Sequence, residues 1–126
     1  MRFLILGCNG MAGHTISQYM QHQGHDVLGF DRNLSPFVRS VAGDATDTQT
    51  LSTIVESEQF DAIINCIGIL NQFADERKPL AVFLNSYLPH FLAEATVKMD
   101  TQVIHMSTDC VFSGKKGNYV ESDIPD

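Results

Sequence analysis

The chain has 126 residues, which suits one domain, and 44% of them are hydrophobic, which is enough to build a packed core. Its formal net charge of −7 argues against nucleic acid as a partner, because an acidic surface repels a phosphate backbone. The three cysteines lack CxxC spacing, which indicates a reducing, cytoplasmic environment rather than a disulfide framework. No apolar run approaches the roughly 18 residues of a membrane span, so we expect no membrane partner.

Short apolar runs alternate with segments of helical periodicity. Continuous apolar runs are typical of strands buried on both faces of a parallel sheet, and the periodic segments predict helices that cover it. We predict five strands, at 2–7, 25–30, 37–42, 61–67 and 101–106. Helices are predicted at 11–23, from 47 to about 59 and from 79 to about 98. A polar loop is predicted at 71–78, and the residues after 106 are loop-like.

The periodicity also predicts which helix faces point inward. For the first helix the predicted inward residues are Met11, Thr15, Ile16, Tyr19 and Met20. For the second, which Asp47 caps, they are Leu51, Ile54 and Val55. For the third, which Pro89 could kink, they are Leu80, Phe83, Leu84, Tyr87, Leu88, Phe91, Leu92 and Ala95.

This alternation predicts an α/β fold of the Rossmann type, a doubly wound parallel sheet of five strands in the order 3-2-1-4-5. In such sheets ligands bind at the carboxyl ends of the strands where the order reverses, here strands one and four. We find no internal boundary and treat residues 1–126 as a single domain.

A glycine-rich turn joins the first strand to the first helix with the spacing G-x-x-G-x-x-G. Gly7 allows a tight turn, Gly10 lets backbone approach a pyrophosphate, and Gly13 lets the helix pack close to the sheet. The N–H groups of residues 10–12 are expected to point at the phosphates of NAD(H) or NADP(H). The predicted contacts in this turn are Gly7, Asn9, Gly10, Met11, Ala12 and Gly13. The alternative is a glycine turn that merely joins two elements.

Two charged residues after the second strand bear on the choice of cofactor. Asp31 can accept hydrogen bonds from both adenosine ribose hydroxyls, which favours NAD. Arg32 can pair with a 2′-phosphate, which favours NADP, or can be a solvated surface charge. The sequence therefore leaves the preference open.

The ends of the third and fourth strands supply further candidates. Asp44 can accept from the adenine amine or can serve as a turn aspartate, and Ala45 follows it. Gly68 lets backbone pass near the cofactor ribose, whereas Asn65 can also be a strand-end hydrogen-bonding residue. The predicted contacts here are Asp44, Ala45, Asn65, Cys66, Ile67 and Gly68.

Four segments resemble extended short-chain dehydrogenase/reductases, and most closely the dTDP-4-dehydrorhamnose reductase group. They are GCNGMAG, NCIG, AVFLNSYLPHFLAEA and STDCVFSG, and the resemblance extends from residue 1 to about 126. The group usually has tyrosine where Cys110 stands. The resemblance implies a sugar-nucleotide reductase that transfers hydride from NAD(P)H to a 4-keto sugar nucleotide.

The resemblance also implies catalytic roles. Thr108, or Ser107 as runner-up, would polarise the keto oxygen, and Asn85 would support the active-site geometry. The family's proton-donating Tyr-x-x-x-Lys pair is absent, because Tyr19, Tyr87 and Tyr119 all lack a lysine four residues later. We therefore expect a chain truncated before that pair and before the substrate-binding part, and inactive alone.

Other interpretations remain open. The chain could be a non-catalytic nucleotide-binding or regulatory module, or the cofactor half of an epimerase or dehydratase, and a homodimer is compatible with each. The histidines show no metal-ligand spacing, so no metal is expected. We predict that His14 lies on a helix surface, that His105 lies in the core, and that the basic turn 114–117 is solvent-exposed.

Overall fold

The computed structural model describes residues 1–108 and 111–125, and Cys110 lies outside them. Within these residues the chain forms one parallel sheet in the order β3-β2-β1-β4-β5, which confirms the predicted topology. The strands are β1 (Arg2–Leu6), β2 (Asp26–Asp31), β3 (Ser40–Ala42), β4 (Ala62–Asn65) and β5 (Gln102–His105). The third strand is shorter than predicted, because only its last residues pair with β2.

Helices cover both faces of the sheet, and the residues of β1 alternate between two cores. Leu4 and Leu6 pack with the helices of one face, whereas Phe3 and Ile5 pack on the other. Such burial on both faces explains the continuous apolar strand. The helices are α1 (Met11–His22), α2 (Thr48–Ser57), α3 (Asn71–Glu76), α4 (Lys78–Val82) and α5 (Leu88–Ala95). None of the helices described is long and apolar enough to cross a membrane.

The inward face of α1 differs from the prediction. Met11 is 91% exposed and Tyr19 is 61% exposed, whereas Gly13 and Ser17 are buried. Ile16 and Met20 do pack against the core, as predicted. The helix has this orientation because Gly13 must lie against the glycine turn, so the small residues Gly13 and Ser17 share the inward face with Ile16 and Met20.

The helix α2 follows the prediction. The Asp47 carboxylate accepts hydrogen bonds from the backbone amides of Gln49 and Thr50, both at 3.1 Å. Its predicted inward residues are all buried, namely Leu51, Ile54 and Val55.

The region after β4 differs most from the prediction. The expected loop at 71–78 contains α3, and the expected single helix from Pro79 is divided. A π-helical turn, Phe83–Tyr87, separates α4 from α5, and the Leu88 amide donates to the Phe83 carbonyl. Pro89 directly follows and has no N–H to continue the normal ladder, which favours this local widening. Leu88 and Leu92 are buried as predicted, whereas Tyr87 is 49% exposed.

Candidate functional site

The glycine turn after β1 has the backbone geometry that a phosphate cradle requires. Gly7 has φ of +78°, and an added Cβ would lie 3.1 Å from the Ile67 side chain. A Cβ on Gly13 would overlap the Gly7 carbonyl oxygen and lie 2.7 Å from its carbonyl carbon. The turn is tied to β2 by the Gly7 amide, which donates to the Phe30 carbonyl at 2.8 Å. Glycine is therefore required at Gly7 and Gly13 by the fold itself.

The amide groups available to a phosphate differ by one residue from the prediction. The Gly10 amide donates to the Gly7 carbonyl at 3.0 Å, so it closes the turn instead of pointing outward. Gly10 is the N-cap residue of α1, and no side chain caps that helix. The first amides of a helix have no partner within it, which leaves those of Met11 and Ala12 for an anion. A Cβ on Gly10 would meet only the Gly7 oxygen, at 3.3 Å.

Asp31 holds the end of β2 to the glycine turn. Its carboxylate accepts from the Asn9 amide at 3.0 Å and from the Arg32 amide at 2.7 Å. The Asn9 side chain in turn donates to the Asn33 carbonyl at 2.9 Å. Asp31 therefore positions the turn and also lines the adjacent cavity. Its carboxylate has further lone pairs, so it can still accept hydrogen bonds from a ligand.

Two cavities lie at the carboxyl edge of the sheet. The smaller, of about 220 Å³, is bordered by the ends of β1, β2, β3 and β4 and by the α4 region. Its lining residues include Gly7, Asp31, Arg32, Asp44, Ala45 and Ile67. The larger, of about 790 Å³, extends over Gly68 and the residues after it. The sheet's carboxyl edge thus brings together predicted contacts that are far apart in sequence.

Asp44 has the local role of a turn aspartate and also lines the smaller cavity. One of its oxygens accepts from both the amide and the hydroxyl of Thr46, each at 2.8 Å. The hydrogen bond from the Thr46 amide, and after it the one from the Thr46 hydroxyl, holds the pKa of the Asp44 carboxyl below its ordinary value. The positive charge of Arg32 lowers this pKa as well. Asp44 is therefore an ionised acceptor at the edge where adenine is expected.

The end of β4 is fixed by a buried amide. Asn65 is fully buried, its Oδ1 accepts from the Ile67 amide at 3.0 Å, and its Nδ2 lies 3.2 Å from His105 Nδ1. It is thus a strand-end hydrogen-bonding residue, whereas Ile67 and Gly68 reach the cavities. Burial raises the pKa of the half-buried Cys66 thiol. His105 is exposed, so its assignment to the core was wrong.

Asn85 lies in the π-helical turn and reaches the loop after β4. Its Oδ1 accepts from the Ile69 amide at 2.9 Å, and its Nδ2 donates to the Ile69 carbonyl at 2.7 Å. It therefore fixes the backbone next to Gly68. Ser107 and Thr108 are exposed and follow β5 at the same edge of the sheet.

Sequence reasoning missed three residues that line both cavities, namely Arg77, Leu80 and Leu84. Arg77 lies in the segment 71–78 that the sequence predicts as a polar loop, and in the structure it follows α3 and lines both cavities. Leu80 and Leu84 belong to the predicted inward face of the helix that starts at residue 79. Periodicity does not distinguish residues of such a face that pack in the core from those that border a cavity.

Other candidates have local roles. His14 is half-buried, packs on the Phe37 ring with centroids 4.3 Å apart, and contacts Gln18. Lys116 in the basic turn pairs with Asp123. In the part of the chain that the structure describes, no group of three or more candidate ligands could hold a metal ion.

The glycine turn after β1 and the sheet order define an α/β domain of the Rossmann type, as in extended short-chain dehydrogenase/reductases. The family model described as "RmlD substrate binding domain" matches residues 1–126. The chain belongs to this family.

Curated relatives agree with this assignment. A probable low-salt glycan biosynthesis reductase, Agl14 of Haloferax volcanii, is 30% identical over 129 residues, covering 99% of this chain and 43% of the relative. The dTDP-4-dehydrorhamnose reductase of Burkholderia thailandensis is 31% identical, covering 98% and 39%. Methionine adenosyltransferase 2 subunit beta of Mus musculus is 28% identical, covering 98% and 37%. The chain thus spans about two fifths of the length of these relatives.

Solved structures share the fold. A hypothetical dTDP-4-dehydrorhamnose reductase from Sulfolobus tokodaii superposes with a TM-score of 0.87 and 31% identity, covering all of this chain and 46% of the other. UDP-glucose 4-epimerase from Bifidobacterium longum, solved with NAD⁺ and UDP, superposes with a TM-score of 0.85. It covers all of this chain and 43% of the other, and at 20% identity it shows the fold alone.

Proposed function

We propose that residues 1–126 form the cofactor-binding domain of a cytoplasmic sugar-nucleotide reductase that uses NAD(H) or NADP(H). The observation that carries the proposal is the glycine turn, because side chains are excluded at Gly7 and Gly13 by the fold while Gly10 stays open to a ligand. An uncapped helix of twelve residues begins at the turn, which suits a pyrophosphate. The adenosine would occupy the cavity beside Asp31 and Asp44, and the pyrophosphate would lie against Met11 and Ala12.

The residues near Gly68 suit the reactive end of the cofactor. Asn85 fixes the loop that borders this region, and Ser107 and Thr108 follow β5 at the same edge. When bound, NAD(P)H supplies the hydride for reduction of a keto group. In our proposal the Thr108 hydroxyl donates a hydrogen bond to the keto oxygen, on which negative charge builds, and Ser107 is the second candidate for this role.

We also propose that the catalytic proton donor is not among residues 1–126. None of the tyrosines of the chain is followed four residues later by lysine. General acid catalysis typically contributes about 10²–10⁴-fold, so the 126-residue chain should not oxidise NADPH with a dTDP-4-keto sugar. Robust turnover by this chain would contradict that statement.

Calorimetric titration with NADH and NADPH tests cofactor binding. The wild-type chain should bind at least one of them, and Gly10→Val should abolish binding because its side chain would stand where phosphate belongs. Circular dichroism would establish that the variant is folded. Gln21→Val is a matched control, because it places the same side chain at an exposed position near the other end of α1. Unchanged affinity in a folded Gly10→Val protein would contradict the proposal.

A second candidate is a nucleotide-binding module that regulates a partner protein. The likeness to methionine adenosyltransferase 2 subunit beta favours it, because that relative is named as a subunit of another enzyme. The two candidates differ in their expected activity, since a longer protein containing this chain would reduce a keto sugar nucleotide only in the first case.

A further inference from the structure

We propose that His105 is a positioning residue, whose neutral imidazole accepts a hydrogen bond from Asn65 and thereby joins the loop beside Gly68 to the segment that carries the catalytic hydroxyl. The inference rests on the proposed function and adds to it a residue that acts through Asn65. Its consequence is that the affinity for the dinucleotide depends on the protonation state of one imidazole.

The orientation of the Asn65 side-chain amide is determined by its neighbours. Asn65 is fully buried, and its Oδ1 accepts from the Ile67 amide at 3.0 Å. A backbone N–H can only donate, so the Asn65 atom that faces it must be the oxygen. The Nδ2 group therefore faces His105, whose Nδ1 lies 3.2 Å away.

This orientation in turn determines where the imidazole carries its proton. The Asn65 Nδ2 group can only donate, so His105 Nδ1 must offer a lone pair and the ring proton must be on Nε2. An imidazolium has an N–H at both nitrogens and no acceptor, so protonation would bring two donors face to face. Because Asn65 is buried, loss of the acceptor leaves its amide with a donor that has no partner, which is costly.

Asn65 and His105 connect the two parts of the proposed site. They are register partners at the ends of β4 and β5, so their side chains project from the same face of the sheet. The Met106 amide donates to the Asn65 carbonyl at 3.0 Å, and the two candidate hydroxyl residues follow directly. On the other strand, Ile67 leads into the loop beside Gly68. A change at His105 therefore reaches both the cofactor loop and the segment after β5.

The titratable groups around His105 determine which pH change tests its role. Among the described elements, β4 and α5 pack against β5. The strand β4 carries no titratable side chain, and burial raises the pKa of the Cys66 thiol that follows it. The helix α5 carries His90 and Glu94, both at exposed positions. Imidazole titrates between about pH 5 and 8, so the bond should be present above this range and lost as the pH falls through it.

The first test examines the ring itself and needs no cofactor. In the ¹⁵N-labelled chain, the imidazole nitrogen shifts distinguish a lone pair on Nδ1 from a proton on it. We expect His105 to carry its proton on Nε2 at about pH 8, and the signals of the Asn65 side-chain amide and the Ile67 amide to move with its titration. A ring with its proton on Nδ1 at about pH 8 would overturn the inference.

The second test is calorimetric titration of NADH and NADPH at several values between about pH 8 and pH 5.5. Asparagine places an amide oxygen close to the position of Nδ1 and does not titrate, so His105→Asn should keep its affinity across the range. Relative to this variant and for the same ligand, the wild-type affinity should fall by roughly two- to tenfold as the pH decreases. Comparison at one ligand cancels the titration of the NADPH phosphate itself.

Two further variants complete the series. His105→Ala lacks the acceptor at every pH, so it should bind more weakly than the wild-type chain already at about pH 8. His90→Asn is the matched control, because it removes an imidazole from an exposed position of the helix packed against β5 and should keep the wild-type profile.

The outcomes separate this inference from the proposed function. Parallel pH profiles for the wild-type chain and His105→Asn, or wild-type affinity in His105→Ala at about pH 8, would overturn the positioning role while leaving cofactor binding in place. Loss of the pH dependence in His90→Asn would do the same. Binding of neither dinucleotide by the wild-type chain would overturn the proposed function and the positioning role together, whatever the ring spectra show of the bond.

Discussion

Asn85 and Ile69 form a two-point contact, in which one side-chain amide both accepts from the Ile69 N–H and donates to its carbonyl. The contact crosses from the π-helical turn to the loop after β4. It therefore links the irregular part of the helix to the part of the site beside Gly68.

Loss of this contact should affect cofactor binding more than folding. Asn85→Ala removes two hydrogen bonds at an exposed position, so we expect a loss of about 0.5–1.5 kcal/mol in the free energy of unfolding. The freed loop should also weaken NAD(P)H binding several-fold. Urea denaturation and calorimetry measure the two effects, with the exposed neighbour Ser86→Ala as control. Wild-type affinity for NAD(P)H in Asn85→Ala would show that cofactor binding does not depend on the position of this loop.

Gly13 and Gly10 should respond differently to the same substitution. Gly13→Ala places a Cβ against the Gly7 carbonyl, so α1 must move, and we expect a loss of roughly 1–3 kcal/mol in stability. Gly10→Ala meets only the Gly7 oxygen, at 3.3 Å, which requires a small local shift. It should therefore lose less stability than Gly13→Ala and should lose affinity for the cofactor. Thermal unfolding of both variants tests this contrast. Equal stability of the two would mean that the close approach at Gly13 is not required.

The sheet order and the glycine turn could be predicted from sequence because local patterns determine both. Continuous apolar strands, an Asp47 cap and correctly spaced glycines each have a local physical cause. The rotation of α1 could not be predicted, since hydrophobic periodicity gives no weight to the close packing that Gly13 requires. Arg77 could not be predicted either, because a short helix such as α3 carries too few apolar residues for its periodicity to show.

The pH dependence of stability should include a contribution from the ion pair of Glu58 with Arg39. Two hydrogen bonds, at 2.7 and 3.2 Å, hold the pKa of the Glu58 carboxyl below its ordinary value. A carboxyl with a lowered folded-state pKa stabilises the protein above its unfolded-state pKa, and this stability is lost as the pH falls through the folded-state value.

Stability should therefore decrease below roughly pH 4, and less steeply in Glu58→Gln than in the wild-type chain. Urea denaturation between about pH 7 and pH 2.5 measures both curves. Glu56→Gln, at an exposed position of α2, is the control and should keep the wild-type slope. Parallel curves for wild type and Glu58→Gln would exclude the contribution of this pair.

The central claim is that a dinucleotide binds along the carboxyl edge of the sheet, from the glycine turn to Gly68. The most direct measurement is an amide chemical-shift titration of the ¹⁵N-labelled chain with NADPH and NADH. The account predicts saturable shifts concentrated at residues 7–13, 31–32, 44–46, 67–69 and 77. An absence of saturable shifts, or shifts confined to the opposite edge around Asp26 and Glu58, would contradict it.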